Sequence, residues 1–157
     1  MARYELLDLP DIRQKDTYDC GPAAIKSCLQ YIGFRKGYDF YREKFSPTEI
    51  DGCDPRTAEA HLRNLGLKIQ SGHMTIADLR FHTSLQRPVL TLIQAFGCGH
   101  YIAVRGVSRG RVHYQDPNAG RLSLLIDDFE RIWKDADRFG LAFDKFGIAL
   151  WWEVENG

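Results

Sequence analysis

Four segments of the chain have apolar positions at the spacing of a helix. The first, AIKSCLQYI, follows Gly21 and Pro22, which suit a turn that opens a helix, and it stops at Gly33. The second is preceded by Asp54-Pro55 and followed by Gly66, a typical start and end of a helix. The predicted helices are Ala24 to Ile32, about Arg56 to Leu65, Thr75 to Leu79, and Asp127 to Asp135.

Five other segments have the composition and flanking residues of strands. They are Leu67 to Ile69, Pro88 to Ala95, Gly99 to Val104, Tyr114 to Pro117, and Gly147 to Val154. The aromatic and charged segment Tyr38 to Phe45 receives no assignment, and Arg138 to Phe146 is expected to form a loop over the sheet. Because helices dominate the first part of the chain and strands the second, the pattern predicts an α+β fold with a helical half and an antiparallel sheet half.

Length and charge agree with one ordinary domain over residues 1–157. The chain is 44% hydrophobic, enough for a core, and its 21 basic residues are balanced by 21 acidic ones, so nothing indicates a nucleic-acid surface. The N-terminus lacks the apolar stretch of a secretory signal, and no apolar run is long enough to span a bilayer. We therefore expect a cytoplasmic, free-standing domain.

The most informative motif is Asp19-Cys20-Gly21-Pro22, which puts a cysteine at the start of the first helix. Unpaired backbone N–H groups and the positive end of the helix dipole favour the thiolate form, which is the nucleophilic one. The pattern predicts that Cys20 is a nucleophile. The alternative is that Cys20 is an inert buried thiol, as most free cysteines are.

A nucleophilic cysteine needs a base and a group that orients the base, and the chain offers His100 and Asp116. If the hairpin between the two strands turns near Ser108, His100 lies opposite Asp116, and Ile102, Val104, Val112 and Tyr114 share the same face. The carboxylate could then hold the imidazole in one tautomer. The alternative is a plain turn in which the aspartate binds its own backbone.

Acyl transfer also needs hydrogen-bond donors for the oxyanion that forms at the attacked carbonyl. Gln14, six positions before Cys20, could supply a side-chain amide, and the backbone N–H of Cys20 is the natural second donor. A polar residue in an N-terminal loop is also commonplace without any role.

In this order, Gln14, Asp19-Cys20-Gly21, Gly99-His100-Tyr101 and Asp116-Pro117 resemble the C39 cysteine peptidases, which are best known for removing double-glycine leader peptides from bacteriocins. The resemblance implies a papain-like fold, with Cys20 as nucleophile, His100 as general base and acid, Asp116 as orienting acid and Gln14 as oxyanion donor. It implies a peptide or protein substrate and no cofactor. Many leader peptidases of this family are fused to a transporter with an ATPase, of which this chain has neither part; association with a separate transporter is left open.

Three functions remain open at this point. The first is hydrolysis of a peptide bond, with cleavage after Gly-Gly as one substrate. The second is a catalytically silent module that binds a peptide such as a leader. The third is acyl transfer or deamidation by the same triad.

The remaining cysteines and histidines receive structural assignments. Cys28 is expected to be a small buried residue, and Cys53 a loop thiol with no chemistry. Cys98 and His100 form only a C-x-H pair, so no metal site is predicted. The other four histidines are expected on the surface; they are His61, His73, His82 and His113.

Overall fold

A six-stranded antiparallel sheet organises the structure, a computed structural model that describes residues 6–45, 53–95, 98–136 and 142–153. The helices are α1 (Cys20–Tyr31), α2 (Tyr38–Phe45), α3 (Pro55–Asn64), α4 (Ile76–Ser84) and α5 (Ile126–Ile132). The strands are β1 (Lys68–His73), β2 (Val89–Ala95), β3 (Cys98–Ser108), β4 (Arg111–Asp116), β5 (Gly120–Leu125), β6 (Lys134–Ala136), β7 (Ala142–Asp144) and β8 (Phe146–Trp151).

The strand order in the main sheet is β1-β8-β2-β3-β4-β5, and β6 and β7 form a separate two-stranded sheet. Three consecutive strands, β3, β4 and β5, pair with their sequence neighbours, so they are joined by short turns. The strand that carries His100 is central and is flanked by β2 and β4. The histidine is therefore held by main-chain pairing on a well-packed element.

Two apolar clusters lie on the two faces of this sheet. Along β3, Tyr101 and Ala103 belong to one cluster and Ile102 and Val104 to the other, as expected for side chains that alternate between faces. The first cluster includes residues of α1, α2 and α3, and the second includes residues of α4 and α5. The N-terminal helices, with Cys20 among them, thus pack on one side of the sheet.

The predicted helices and strands are present, with shifted ends. The first helix begins at Cys20 itself, four residues before the predicted start. Helix α4 continues to Ser84, beyond the predicted Leu79, after a start at which Thr75 and Asp78 form a reciprocal capping box. Helix α5 ends at Ile132 because the next residues pair with β7 in the small sheet. The predicted end of the last strand, Val154, lies outside the described residues.

Three extended segments and one helix were not predicted. Helix α2 occupies the aromatic and charged segment, where only Tyr41 and Phe45 are buried, so its apolar face is too short to recognise in sequence. Strands β6 and β7 also went unassigned; the expected loop over the sheet lies partly in β7 and β8 and partly outside the described residues. Strand β5 is an edge strand that pairs on one side only, and its Leu122 and Leu125 are exposed.

The register of the β3–β4 hairpin differs from the predicted one. The turn is the two residues Arg109-Gly110, both with positive φ, and Ser108 pairs with Arg111. A bulge between Val104 and Gly106 then shifts the pairing again. As a result Val104 pairs with Tyr114 and not with Val112, so the predicted register was wrong although the same side chains share one cluster.

No helix in the described part of the chain is both long enough and apolar enough to cross a membrane.

Candidate active site

The start of α1 places Cys20 in the first cluster, with 8% of its surface exposed. Gly21 follows because there is no room for a side chain: a Cβ at this position would lie 2.5 Å from the Cβ of Cys53. Tyr101 of β3 packs against the same point and donates its hydroxyl to the carbonyl of Cys53 at 2.7 Å. The helix start is therefore fixed against the sheet and against the segment that precedes α3.

His100 and Asp116 meet at the end of the β3–β4 hairpin. Nε2 of His100 lies 2.8 Å from Oδ1 of Asp116, and both side chains are more than nine-tenths buried. Because the observed register puts Asp116 two residues further along β3 than predicted, the pair is diagonal across the strands. Both side chains still share a face, so the carboxylate reaches the ring.

Cys20 lies close enough to His100 to affect the pKa of its ring. Burial acts to lower the pKa of His100, but the hydrogen bond with Asp116, the nearby Cys20 thiol, and the negative charges those two groups can carry outweigh it and raise the pKa to about 9. The imidazole thus stands between thiol and carboxylate, and its protonated form is favoured through neutral pH. This arrangement can move a proton to and from the sulfur.

Asp116 has a second set of contacts. Its Oδ1 also accepts hydrogen bonds from the backbone N–H groups of Asn118, at 2.7 Å, and Ala119, at 3.3 Å. Burial acts to raise the pKa of Asp116, but the bond from His100 and these backbone donors hold it below its usual value of 3.8. The two alternatives from sequence are therefore both realised, since one oxygen holds the turn and contacts the histidine.

Gln14 lies beside the same turn, where its backbone N–H donates to the carbonyl of Pro117 at 2.9 Å. Its side-chain amide donates to the carbonyl of Asp16 at 2.8 Å. The NH₂ group has one further hydrogen, and the described residues offer no hydrogen bond to the buried Oε1. Gln14 is thus brought to the end of the hairpin that carries His100 and Asp116.

The structure adds residues that sequence reasoning did not connect to this site. Tyr38 and Arg42, on α2, contact the segment between Gln14 and Cys20. Their four-residue spacing is a helical signal, but nothing in the sequence indicates that these two side chains contact the segment before Cys20. Cys53 is also closer to the site than expected, since it is buried against Gly21, and burial raises the pKa of its thiol to about 12.

The structural assignments of Cys28 and the histidines can be compared with the described residues: His73 is exposed as predicted, and His61 and His113 are half-buried. Cys28 is fully buried, as predicted. The surface prediction for His82 was wrong, because its side chain is buried and its ring stacks with Trp151 at 6.4 Å between centroids. Within the described ranges, no three His, Cys, Asp or Glu side chains come together as metal ligands.

Known proteins with the same fold include peptidase domains. A double glycine motif protease from an AMS/PCAT transporter, solved in complex with the leader peptide, matches with a TM-score of 0.71 and 17% identity over 92% of each chain. The peptidase domain of Streptococcus ComA, a bi-functional ABC transporter involved in quorum sensing, matches with a TM-score of 0.70 and 21% identity over 96% of this chain and all of that domain. These likenesses establish the fold.

Two sequence comparisons complete the assignment. An uncharacterised protein of Methanothermobacter marburgensis is 26% identical over 121 residues, which cover 77% of this chain and 80% of that protein. The Peptidase C39 family matches residues 8–136. The predicted α+β, papain-like architecture, with the cysteine on the helical side and the histidine and aspartate on the sheet, is thereby confirmed, and the chain belongs to the Peptidase C39 family.

Proposed function

We propose that this chain is a cysteine peptidase that cleaves a peptide bond through Cys20, His100 and Asp116. The observation that carries the proposal is the buried His100, which contacts the Asp116 carboxylate at 2.8 Å and lies near Cys20, whose thiol raises the pKa of the ring. An inert cysteine needs neither group. We also propose that residues 1–157 form one C39-like domain, because the apolar clusters on the two faces of the six-stranded sheet include side chains from Leu7 to Trp152.

In this mechanism the Cys20 thiolate attacks the substrate carbonyl carbon, and the oxyanion accepts hydrogen bonds from the Cys20 backbone N–H and the Gln14 amide. Protonated His100 then gives its proton to the leaving amine, and the C–N bond breaks. A thioester on Cys20 remains. His100, now neutral, takes a proton from water, the hydroxide attacks the thioester, and the released sulfur recovers a thiolate beside the imidazolium.

Asp116 fixes which ring nitrogen faces the sulfur. Because Nε2 of His100 is bound to the carboxylate, Nδ1 is the nitrogen that serves Cys20. The carboxylate also stabilises the imidazolium, which is the acid that the leaving amine needs.

The first substrates to test are synthetic leader peptides that end in Gly-Gly and continue into a cargo segment, because a structural neighbour was solved with its leader peptide. Products are identified by mass spectrometry for the wild type, Cys20→Ala and Cys28→Ala. Cleavage by the wild type and Cys28→Ala, but not by Cys20→Ala, supports the proposal. Binding of the peptide without cleavage by the wild type indicates a silent binding module instead.

The reaction class is tested separately from the substrate. Iodoacetamide should alkylate Cys20 faster than the buried Cys28 and Cys53, and His100→Ala should slow the alkylation of Cys20. Equal rates for the three thiols in the unfolded protein provide the reference. If Cys20 is activated but the acyl group passes to the amine of a second peptide and not to water, or a side-chain amide of the peptide loses ammonia, acyl transfer or deamidation replaces hydrolysis.

A further inference from the structure

The segment between Gln14 and Cys20 contains no helix or strand, yet it joins two groups of the proposed active site. Its described backbone bonds are few: Gln14 binds the carbonyl of Pro117, and Asp19 donates to the carbonyl of Asp16 at 3.3 Å. A segment with so little main-chain pairing takes its shape from its side chains. Those side chains contact one face of helix α2.

Asp19, the residue before the nucleophile, is fully buried. It stands at the N-cap position of α1, but its carboxylate makes no capping hydrogen bond. Instead its Oδ2 accepts the hydroxyl of Tyr38 at 3.2 Å, and its Oδ1 lies 3.4 Å from Nε of Arg42. A buried carboxylate is stable only with such partners, so its position depends on α2.

Arg42 reaches three residues of the segment with one planar group. Its Nη2 donates to Oδ2 of Asp16 at 2.6 Å and to the hydroxyl of Tyr18 at 3.1 Å, while its Nε faces Asp19. Tyr38, one helical turn earlier, accepts the backbone N–H of Lys15 at 3.2 Å. Four of the five residues between Gln14 and Cys20 are therefore bound to Tyr38 or Arg42.

We propose that Arg42, assisted by Tyr38, is a positioning residue for the reaction at Cys20. The proposal rests on the proposed function. Arg42 fixes Asp16, and the Asp16 carbonyl accepts the Gln14 amide at 2.8 Å, so the guanidinium sets where the oxyanion donor stands. Through Asp19 it also fixes the residue to which Cys20 is joined.

The guanidinium rather than a simple positive charge performs this role. Its donors point in fixed directions, so that Nη2 bonds Asp16 and Tyr18 while Nε faces the Asp19 carboxylate, whereas an ammonium group offers a point charge at one place. Arg42 is also more than a third exposed, so its replacement removes contacts to the segment without opening the core. A displacement of the oxyanion donor by about 1 Å is enough to lower turnover by about 100-fold.

The experiment compares Arg42→Ala and Arg42→Lys with the control Arg63→Ala, which removes a guanidinium from a surface ion pair with Glu59 on α3. Cleavage of the leader peptide gives kcat and KM for each. For Arg42→Ala we expect kcat to fall about 100-fold while KM changes by less than about threefold, because a positioning residue acts on the transition state and not on peptide binding. Arg63→Ala should match the wild type.

Arg42→Lys keeps the charge and is expected to recover the thermal stability of the wild type but only part of kcat. If Arg42→Ala fails to fold, the kcat of Arg42→Lys decides the test. A wild-type kcat in Arg42→Ala would overturn the proposal, and so would an effect of that substitution confined to KM. If Arg42→Ala does not fold, a wild-type kcat in Arg42→Lys at unchanged stability would overturn it.

A second readout separates this inference from the proposed function. The pH dependence of Cys20 alkylation needs no substrate and is measured on the same variants. If the wild type cleaves no peptide, the proposed function fails, and the inference is then decided by whether Arg42→Ala changes that pH profile while Arg63→Ala does not. If the wild type is active, and Arg42→Ala changes neither the pH profile nor kcat, the inference is rejected while the proposed function stands.

Discussion

Replacing Asp116 with Asn tests the electrostatic role of the carboxylate without removing its contacts. The Oδ1 of Asn could still accept from His100, Asn118 and Ala119, which lie at 2.8, 2.7 and 3.3 Å from the present oxygen. What disappears is the negative charge beside the imidazolium. We expect the pKa of His100 to fall from about 9 towards or below its ordinary 6.5. Burial lowers this pKa, and without the Asp116 charge its effect is opposed mainly by Cys20.

The size of the effect follows from the same numbers. A folded-state pKa of about 9 against 6.5 in the unfolded chain is a difference of about 2.5, and at about 1.4 kcal/mol for each tenfold change this corresponds to roughly 3 kcal/mol. This figure is the net result after burial has lowered the pKa, and Asp116 and Cys20 both contribute to it. This stabilisation is fully present below pH 6.5 and is lost as the pH rises through 9, because the unfolded histidine releases its proton first.

Two assays measure the effect of the Asp116 charge on the pKa of His100. The descending limb of kcat/KM in leader-peptide cleavage, which lies near pH 9 if the imidazolium is the required acid, should move down by about one pH unit or more in Asp116→Asn. Urea unfolding at pH 6 and pH 10 should show that the variant loses less stability between these values than the wild type.

The control is Asp116→Ala, which also removes the acceptor for the two backbone N–H groups of the turn. It should be less stable than Asp116→Asn at both pH values. The reasoning is refuted if Asp116→Asn keeps a descending limb near pH 9 and the wild-type difference in stability between pH 6 and pH 10.

Three further substitutions test contacts around the site. Gly21→Ala should destabilise the fold by about 1–3 kcal/mol and slow Cys20 alkylation, because its Cβ would lie 2.5 Å from that of Cys53; wild-type stability would contradict this. Tyr101→Phe leaves the buried Cys53 carbonyl without its 2.7 Å donor and should cost about 1–3 kcal/mol in urea unfolding, and no loss would mean that the carbonyl finds another donor. Thr75→Ala removes the capping box of α4 and should cost about 1 kcal/mol with kcat unchanged, so a fall in kcat would show that α4 affects the site.

Local signals in the sequence were good predictors where they involved neighbouring residues. Asp54-Pro55 is the start of α3, with the Asp54 side chain accepting the N–H of Arg56, and Thr75 caps α4. Such contacts span three or four residues, so residue types alone predict them. Helix limits were less accurate, at the start of α1 and at the ends of α4 and α5, because packing decides how far each helix extends.

Pairing between strands was predicted less well for a physical reason. The alternation of side chains predicted that His100 and Asp116 meet, and they do, at 2.8 Å. The register was wrong because a two-residue turn at Arg109-Gly110 and a bulge near Arg105 each move the pairing, and neither changes the apolar pattern of β4. The contact persisted because the carboxylate and the imidazole are long enough to meet diagonally.

The sequence by itself determined the family, the position of Cys20 at a helix start and the presence of His100 and Asp116 at one end of a hairpin. These features depend on residue types and short spacings. Only the tertiary structure decided that His100 contacts Asp116 close to Cys20, that Cys53 packs against Gly21, and that Arg42 binds the segment before the nucleophile. Each of these contacts joins segments far apart in the chain, and their meeting depends on how the helices pack on the sheet, which no local pattern encodes.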